Sequence, residues 1–235
     1  MDIETYARNH PHVASEHLPP LLIQVASQVP AGATVLDAGA GDGSVLGALD
    51  ARGLLADKTV LARDLSELRV SRLPKFGTRF DAAVDNVETL STVADESVDF
   101  FLSSQVIEHV DDAKMIDAMH RVMRPGAIAY VSTVFKRPGA WYFYRNANGE
   151  RVLDPTHLRE YTGDEQLLRV LQGRFVVEQN VKLPVSYPLF DVALRVVFRS
   201  DPHHWAAKKL KRYLDHVRVP VPRFLIWELV LRRVA

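Results

Sequence analysis

The sequence predicts an α/β fold built around a parallel sheet, and three observations carry that expectation. Short apolar or β-branched runs recur at Thr34 to Ala38, Thr59 to Ala62, Phe80 to Val84, Val98 to Leu102 and Ala127 to Val134. The segments between them are helical in period or rich in turn residues, which is the alternation of strand and crossover helix. The 235 residues are 47% hydrophobic and 25% charged, the composition of an ordinary globular chain that is long enough to bury a sizeable core. Neither an internal repeat nor a low-complexity tract interrupts the pattern, so a single domain over 1–235 is expected.

Taken in order, the first apolar stretch, Leu18 to Val29, is broken by Pro19 and Pro20, and the Met-Asp-Ile-Glu start is acidic where a signal peptide would be basic. The first strand runs into Val35-Leu36-Asp37-Ala38-Gly39-Ala40-Gly41-Asp42-Gly43-Ser44. Glycine at every second position lets the backbone bend sharply and approach a ligand without Cβ interference. The dinucleotide pattern G-x-G-x-x-G is not met, because Ser44 stands where its last glycine belongs. Asp37 at the strand tip would repel a pyrophosphate but suits a ligand carrying an amino group. Val45, Leu46 and Leu49 then begin a helix with Ser44 near its cap.

Further along, Asp111 or Asp112 can cap a helix whose Met115, Ile116, Met119, Val122 and Met123 share one face, with Arg124-Pro125-Gly126 as its stop. Thr162-Gly163-Asp164-Glu165 reads as a capping box ahead of Leu167, Leu168 and Leu171. Phe175 to Leu183 alternates like a strand, and Phe224 to Leu231 forms a last one.

Charge restricts the partners. Lys plus Arg and Asp plus Glu both number 29, so no global field draws in nucleic acid, and no nucleic-acid partner is expected. The balance is uneven locally, since residues 185–235 hold ten basic against four acidic side chains, a net of +6, leaving −6 for residues 1–184. We place an inserted, basic, largely helical segment at about 186–219, where Trp205, Leu210, Tyr213, Leu214 and Val217 recur at helical spacing beside Lys208, Lys209, Lys211 and Arg212. Packing on its own domain or on a twin subunit in a homodimer is the expectation, with an anionic lipid surface as the alternative. The most apolar late stretch, Phe224 to Val234, carries Glu228, Arg232 and Arg233 and is far short of the roughly 20 residues a bilayer span needs, so a cytoplasmic protein is expected. Absence of cysteine excludes disulfides, thiolate zinc, iron–sulfur clusters and a Cys nucleophile.

Asp37-x-Gly39-x-Gly41-x-Gly43 resembles motif I of the class I S-adenosylmethionine (SAM) dependent methyltransferases. Val60 to Ser66 resembles the family's second strand, Ala83 to Glu88 the end of its third, Ala94 to Val110 its fourth strand and the segment after it, and Arg121 to Gly126 the turn before the fifth. The likeness spans residues 30 to about 182, with Ile226 to Arg233 similar to the closing antiparallel strand. It implies a Rossmann-like, mostly parallel seven-stranded sheet in the order 3-2-1-4-5-7-6 with helices on both faces. It also implies SAM as cofactor, held by Asp37, Gly39, Gly41, Gly43, Asp64 on the ribose, Leu65 beside the adenine, Asp85 on the adenine amino group, Asn86, Val87, Ser103 and Ser104.

Methyl transfer to an alcohol needs a base, and the resemblance places Glu108 and His109 beside the methyl group, with His109 as the proton acceptor. Gln105-x-x-Glu108-His109 also resembles the Glu-x-x-Glu-His metal element of ubiquinone-type and small-RNA O-methyltransferases, with His157 in the role of the further histidine. Gln105 departs from that pattern by replacing a carboxylate, although an amide oxygen still suits a hard cation such as magnesium. Alternatively, His157 orients His109 or a substrate hydroxyl. Acceptor specificity is expected from an aromatic lid at about 136–162, with Trp141, Tyr142, Tyr144, Arg145, Arg159 and Tyr161 as candidate contacts. The chain is therefore expected to be an O-methyltransferase acting on a sugar, polysaccharide or similar small molecule. The other readings are an RNA or tRNA methyltransferase and a non-catalytic SAM-binding partner protein.

Overall fold

The computed structural model describes residues 3–9, 18–73, 80–140, 144–146, 148–188 and 218–234. They fall into two compact units, the first within Met1–Thr133, Gly163–Val181 and Glu228–Ala235, the second within Val134–Thr162 and Lys182–Trp227.

In chain order the elements are α1 (Ile3–Asn9), α2 (Pro20–Gln28), β1 (Thr34–Ala38), α3 (Ser44–Asp50), β2 (Thr59–Asp64), α4 (Glu67–Val70), β3 (Phe80–Val84), β4 (Val98–Ser104), α5 (Asp112–Val122), β5 (Met123–Lys136), β6 (Tyr144–Arg145), β7 (Arg151–Val152), α6 (Asp164–Leu171), β8 (Phe175–Pro188) and β9 (Arg218–Arg233). The large sheet has seven strands in the order β3-β2-β1-β4-β5-β9-β8, and β6-β7 form a separate two-stranded sheet. Counting only the seven, this is the expected 3-2-1-4-5-7-6. β1 pairs in parallel with β2 and β4, β2 with β3, and β4 with β5. Parallel strands in one sheet end on the same edge, so the loops after β1, β2, β3 and β4 gather at the carboxyl ends.

Burial follows the apolar runs. Val35 lies opposite Val60 on β2 and Phe100 on β4, and these join Leu22 and Val25 of α2 and Leu46 and Leu49 of α3 in one buried cluster. Pro19 and Pro20, which interrupt the apolar stretch in sequence, stand at the start of α2, with Pro20 as its first residue. There a fixed φ is favourable and the missing N–H would have had no helical partner.

Three local expectations are refined. α5 is capped by Asp111, whose side chain accepts from the Lys114 amide at 3.2 Å, but the helix ends at Val122. Met123 already belongs to β5 and pairs with Val98, and the next pair is Ile128 with Phe100, so two steps on β4 face five on β5. Pro125 cannot donate to a ladder, and the surplus residues are absorbed there as an irregularity. At α6 the N-cap is Gly163 rather than Thr162, and its N–H donates to Gln166 Oε1 at 3.1 Å. The expected helical insertion at about 186–219 yields at both margins to strand, since β8 runs to Pro188 and β9 begins at Arg218. The remainder, 189–217, lies outside the described residues.

The second unit has its own small core of Val134, Leu153, Val185, Val221 and Phe224. Its hairpin pairs Tyr144 with Val152 and Arg145 with Arg151 and turns at Asn148-Gly149, where Gly149 has φ 77°. Among the described residues no helix is long and apolar enough to cross a membrane.

One polar pair stands out inside the first unit. Tyr130 on β5 and Glu228 on β9 are both fully buried, and the Tyr130 hydroxyl donates to Glu228 Oε1 at 2.7 Å. Burial first, and then the bond to Glu228, push the phenol well above its ordinary pKa. Tyr130→Phe is expected to cost about 1–3 kcal/mol, because it strips a buried acceptor of its donor. Tyr130→Phe/Glu228→Leu should recover most of that loss, since buried polar pairs can be replaced by apolar groups of similar volume. Urea unfolding midpoints read both effects, and a double variant less stable than Tyr130→Phe would refute the pairwise account.

Candidate active site

The glycine loop leaves β1 at Ala38. Gly39 has φ 84°, and a Cβ placed there would lie 2.4 Å from Val106 Cγ2, so both conformation and space demand glycine. The amides of Gly39 and Ala40 donate to the Arg63 carbonyl at 2.8 and 2.9 Å. Gly43, with φ 81°, is the N-cap of α3. The amide of Gly41 donates to Asp64 Oδ2 at 2.8 Å, while Asp64 Oδ1 accepts from the Ser66 amide at 2.9 Å. The acid at the end of β2 thus straps the glycine loop to the turn before α4.

Asp37 is buried beside this acid. Removal from water, then the negative charge of Asp64, push its carboxyl up to about 8. Asp37 Oδ2 is buried with no hydrogen-bond partner among the described residues. A buried orphan acceptor next to a second carboxylate fits a ligand that brings a cationic donor, such as the ammonium group of SAM. Leu65 and Val84, at the ends of β2 and β3, are 51% and 42% exposed, apolar surface of the kind a flat ring covers.

Asp85 has a different employment from the one the resemblance implies. Its Oδ1 accepts from the Asn86 amide at 2.8 Å and from the Ser91 amide and hydroxyl at 3.1 and 3.2 Å. Its Oδ2 accepts from the Thr92 amide and hydroxyl at 2.8 and 2.7 Å. Burial alone would raise this carboxyl, but the bonds from Thr92, Asn86 and Ser91 hold it below the usual carboxylate range. In this structure Asp85 organises its own loop. Asn86 Oδ1 accepts from the Glu88 amide at 2.9 Å, and Val87 is buried. Arg63, to which no role was given, is a buried guanidinium that donates to Thr92 Oγ1 at 2.8 Å and to Asp81 Oδ2 at 2.9 Å, tying β2 to β3 and its loop. Its one signal in sequence is a charge inside an apolar strand.

At the end of β4, the Ser103 hydroxyl donates to the Ala38 carbonyl at 2.8 Å, and Ser104 Oγ lies 3.0 Å from Ser132 Oγ. Gln105 follows with φ 57°, a left-handed backbone unusual for this residue type. Its N–H donates to the Ser132 carbonyl at 2.9 Å, and its side-chain amide reaches Ser132 Oγ at 3.4 Å. A 3-10 turn, Ile107–His109, then carries Glu108 and His109. Glu108 is fully buried and its Oε2 accepts from the Thr133 hydroxyl at 2.9 Å, so the carboxylate is fixed by β5. His109 is half-buried, and its amide donates to the Val106 carbonyl at 2.9 Å.

In the second unit His157 is buried, with Nδ1 2.8 Å from Glu160 Oε1. Glu160 in turn accepts from the Leu153 amide at 2.6 Å and pairs through Oε2 with Lys136 Nζ at 3.3 Å. A histidine whose one nitrogen is held by a carboxylate has a fixed ring orientation, as in base and metal sites alike. Glu160 is the orienting residue that sequence reading missed. Tyr161 is buried with its ring edge-on to Trp227 at 5.8 Å, so it packs the interior. Arg145 donates to the Gly149 carbonyl at 2.6 Å and so braces the hairpin. Tyr144 and Arg159 are half-buried, and Trp141 and Tyr142 lie outside the described residues.

The raised Asp37 carboxyl predicts a pH signature. An unfolded aspartate titrates near 3.9, so between roughly 4 and 8 the folded state binds a proton that the unfolded state does not, and stability falls as pH rises through that window. Wild-type Tm should therefore decline relative to Asp37→Asn between pH 5 and pH 8. Asp37→Asn should bind S-adenosylhomocysteine about 10- to 100-fold more weakly, the worth of one charge-assisted hydrogen bond. Parallel Tm curves for the two proteins would remove the assignment.

Comparison with known proteins bears on the same segments. Residues 36–131 match the family model described as a methyltransferase domain. A Mycolicibacterium smegmatis protein named "Probable S-adenosylmethionine-dependent methyltransferase" is 33% identical over 154 residues, which is 64% of this chain and 55% of that protein. Ubiquinone biosynthesis O-methyltransferase of Pseudomonas paraeruginosa is 33% identical over 116 residues, 48% of this chain and 49% of that enzyme. The chain thus spans about half the length of the curated relatives it matches. Geranyl diphosphate C-methyltransferase of Streptomyces coelicolor A3(2), solved with Mg2+ and S-adenosyl-L-homocysteine, shares the fold at a TM-score of 0.58 and 15% identity, covering 91% of this chain and 74% of that one. Glycine loop, strand-end acids, strand order and these matches agree: residues 36–131 are similar to a methyltransferase domain, and together the findings support a class I S-adenosylmethionine-dependent methyltransferase.

Proposed function

We propose that this protein transfers a methyl group from SAM to a hydroxyl of a sugar, polysaccharide or similar small molecule, with His109 as general base. The observation that carries the cofactor half is the buried Asp37 Oδ2, without a hydrogen-bond partner among the described residues, beside Asp64 at the glycine loop. What supports the acceptor half is His109 on the turn after β4, next to a Glu108 carboxylate anchored by Thr133. When bound, SAM supplies an electrophilic methyl group on a sulfonium sulfur. Asp37 and Asp64 would hold the amino-acid and ribose portions, and Leu65 and Val84 would offer the apolar seat for the adenine. His109 would take the acceptor's proton while the protein holds that oxygen in line with the methyl group, positioning being the chief contribution to rate.

Gln105, Glu108 and His109 offer an amide oxygen, a carboxylate and an imidazole within five residues, a donor set that fits magnesium better than a softer metal. Magnesium there would lower the pKa of the acceptor hydroxyl. Tyr144, Arg145 and Arg159 are proposed acceptor contacts, and the ubiquinone O-methyltransferase likeness supports oxygen as the methylated atom.

His109→Ala should leave S-adenosylhomocysteine affinity unchanged while turnover falls by about 10² to 10⁴, the usual range for a general base. Labelled SAM with a panel of sugars, quinols, phenols and tRNA identifies the acceptor class. Turnover retained in His109→Ala would refute the base. EDTA followed by added magnesium tests the ion, since activity indifferent to both removes it from the mechanism. His157→Ala should lower turnover if this histidine shares the chemical step, and raise KM alone if it only orients the acceptor.

A further inference from the structure

Helix α1 has seven residues, too few to be stable on its own, so something outside it must hold it. The holding contacts lead to the cofactor loops. Glu4 Oε1 accepts from the Glu67 amide at 2.8 Å, and Oε2 accepts from the Ser66 hydroxyl at 3.1 Å and the Leu68 amide at 3.3 Å. Ser66 is fully buried between two carboxylates: its hydroxyl donates to Glu4, and its amide donates to Asp64 Oδ1 at 2.9 Å. At the other end of α1, the Ala7 carbonyl accepts from Arg72 Nη1 at 3.3 Å, and the same nitrogen reaches Asp42 Oδ1 at 3.1 Å. Asp42 is itself buried in the glycine loop, next to the Gly41 amide that grips Asp64 Oδ2. The contacts close a ring from α1 through Ser66, Asp64, Gly41, Asp42 and Arg72 back to α1.

We infer that α1 is a working part of the cofactor site, with Glu4 and Arg72 as positioning residues that set the Asp64 carboxylate and the glycine loop for the ribose and amino-acid portions of SAM. This rests on the cofactor reading above. Ser66 is the relay: pulling its hydroxyl toward Glu4 fixes where its amide points, and that amide occupies one oxygen of Asp64. Arg72 acts on the opposite oxygen's side, through the loop whose Gly41 amide meets Oδ2. None of these side chains need touch the cofactor. Their effect is on how much of the binding geometry is prepaid before it arrives. By the same linkage, cofactor bound at Asp64 should steady α1.

Calorimetry with S-adenosylhomocysteine tests this, at a temperature where each variant is shown by circular dichroism to be folded. Glu4→Ala and Arg72→Met should each weaken binding about tenfold. Glu4→Gln, which keeps an oxygen to accept from Ser66, should retain most of the affinity. Glu4→Ala/Asp64→Asn should be weaker than Asp64→Asn by less than Glu4→Ala is weaker than wild type, because the two residues act through one chain of contacts. Hydrogen exchange at residues 3–9 of wild type should slow when S-adenosylhomocysteine saturates the protein. A folded Glu4→Ala with wild-type affinity, or exchange in 3–9 untouched by ligand, would reduce α1 to a structural cap and overturn the inference. Failure of wild type to bind the ligand at all would instead overturn the cofactor reading, and this inference with it.

Discussion

Asp64 has one oxygen on the Gly41 amide and the other on the Ser66 amide, and this double grip is the constraint on which the site depends. The glycine loop carries no Cβ at its bends and has little stiffness of its own, so its position must come from outside. β1 and β2 supply the coarse alignment through five parallel pairs from Thr34–Thr59 to Ala38–Arg63. Asp64 supplies the fine alignment just beyond the last pair. The same carboxylate raises the proton affinity of Asp37, so one residue shapes the loop and tunes its neighbour. Two acids in a buried space oppose folding, and the arrangement makes physical sense where a cationic ligand relieves it.

The reacting end is set by a second group of contacts along β4 and β5. Ser103 ties β4 to the end of β1, Ser104 faces Ser132 on β5, and Thr133 secures Glu108. Between these anchors Gln105 adopts a left-handed backbone, which starts the 3-10 turn presenting His109. Val106 crosses Gly39 so closely that a methyl group there would collide. The loop that seats the cofactor and the segment bearing the proposed base are therefore packed against each other without spare volume, which is what in-line transfer requires of its two partners.

Within the second unit, polar chemistry is held by a small network. His157 and the Leu153 amide both meet Glu160 Oε1, Lys136 pairs with Glu160 Oε2, and Asn146 reaches the His157 carbonyl at 3.3 Å. Behind them Phe135, Tyr161 and Trp227 meet edge to face, and the Lys182 ammonium lies 4.5 Å from the Trp227 ring. Aromatic residues there do two jobs that composition alone does not separate, and burial assigns Tyr161 to packing.

Strand positions and the glycine loop were legible from the chain itself, because apolar runs, turn residues and glycine spacing act over a few residues and leave a local imprint, whereas the strand order was implied only by the family resemblance. Asp37 was legible as an acid at the tip of the strand that enters the glycine loop, whereas Asp64, Glu108 and His109 stood out through the family resemblance. What Asp85 does was not, since its five donors come from backbone and hydroxyls at 86–92 whose direction no spacing encodes. Nor was the partnership of His157 with Glu160, or the ring that runs from Glu4 through Ser66 to Asp64 and back by Arg72. Likewise β8 and β9 claimed the margins of a segment whose spacing reads as helix, because pairing in a sheet outweighs local period. Local sequence determined the strand-forming runs, the glycine loop and which chemical groups are present. Only the tertiary structure decided which of those groups face each other, because hydrogen bonds between residues some sixty positions apart depend on strand register and loop closure rather than on neighbouring residues.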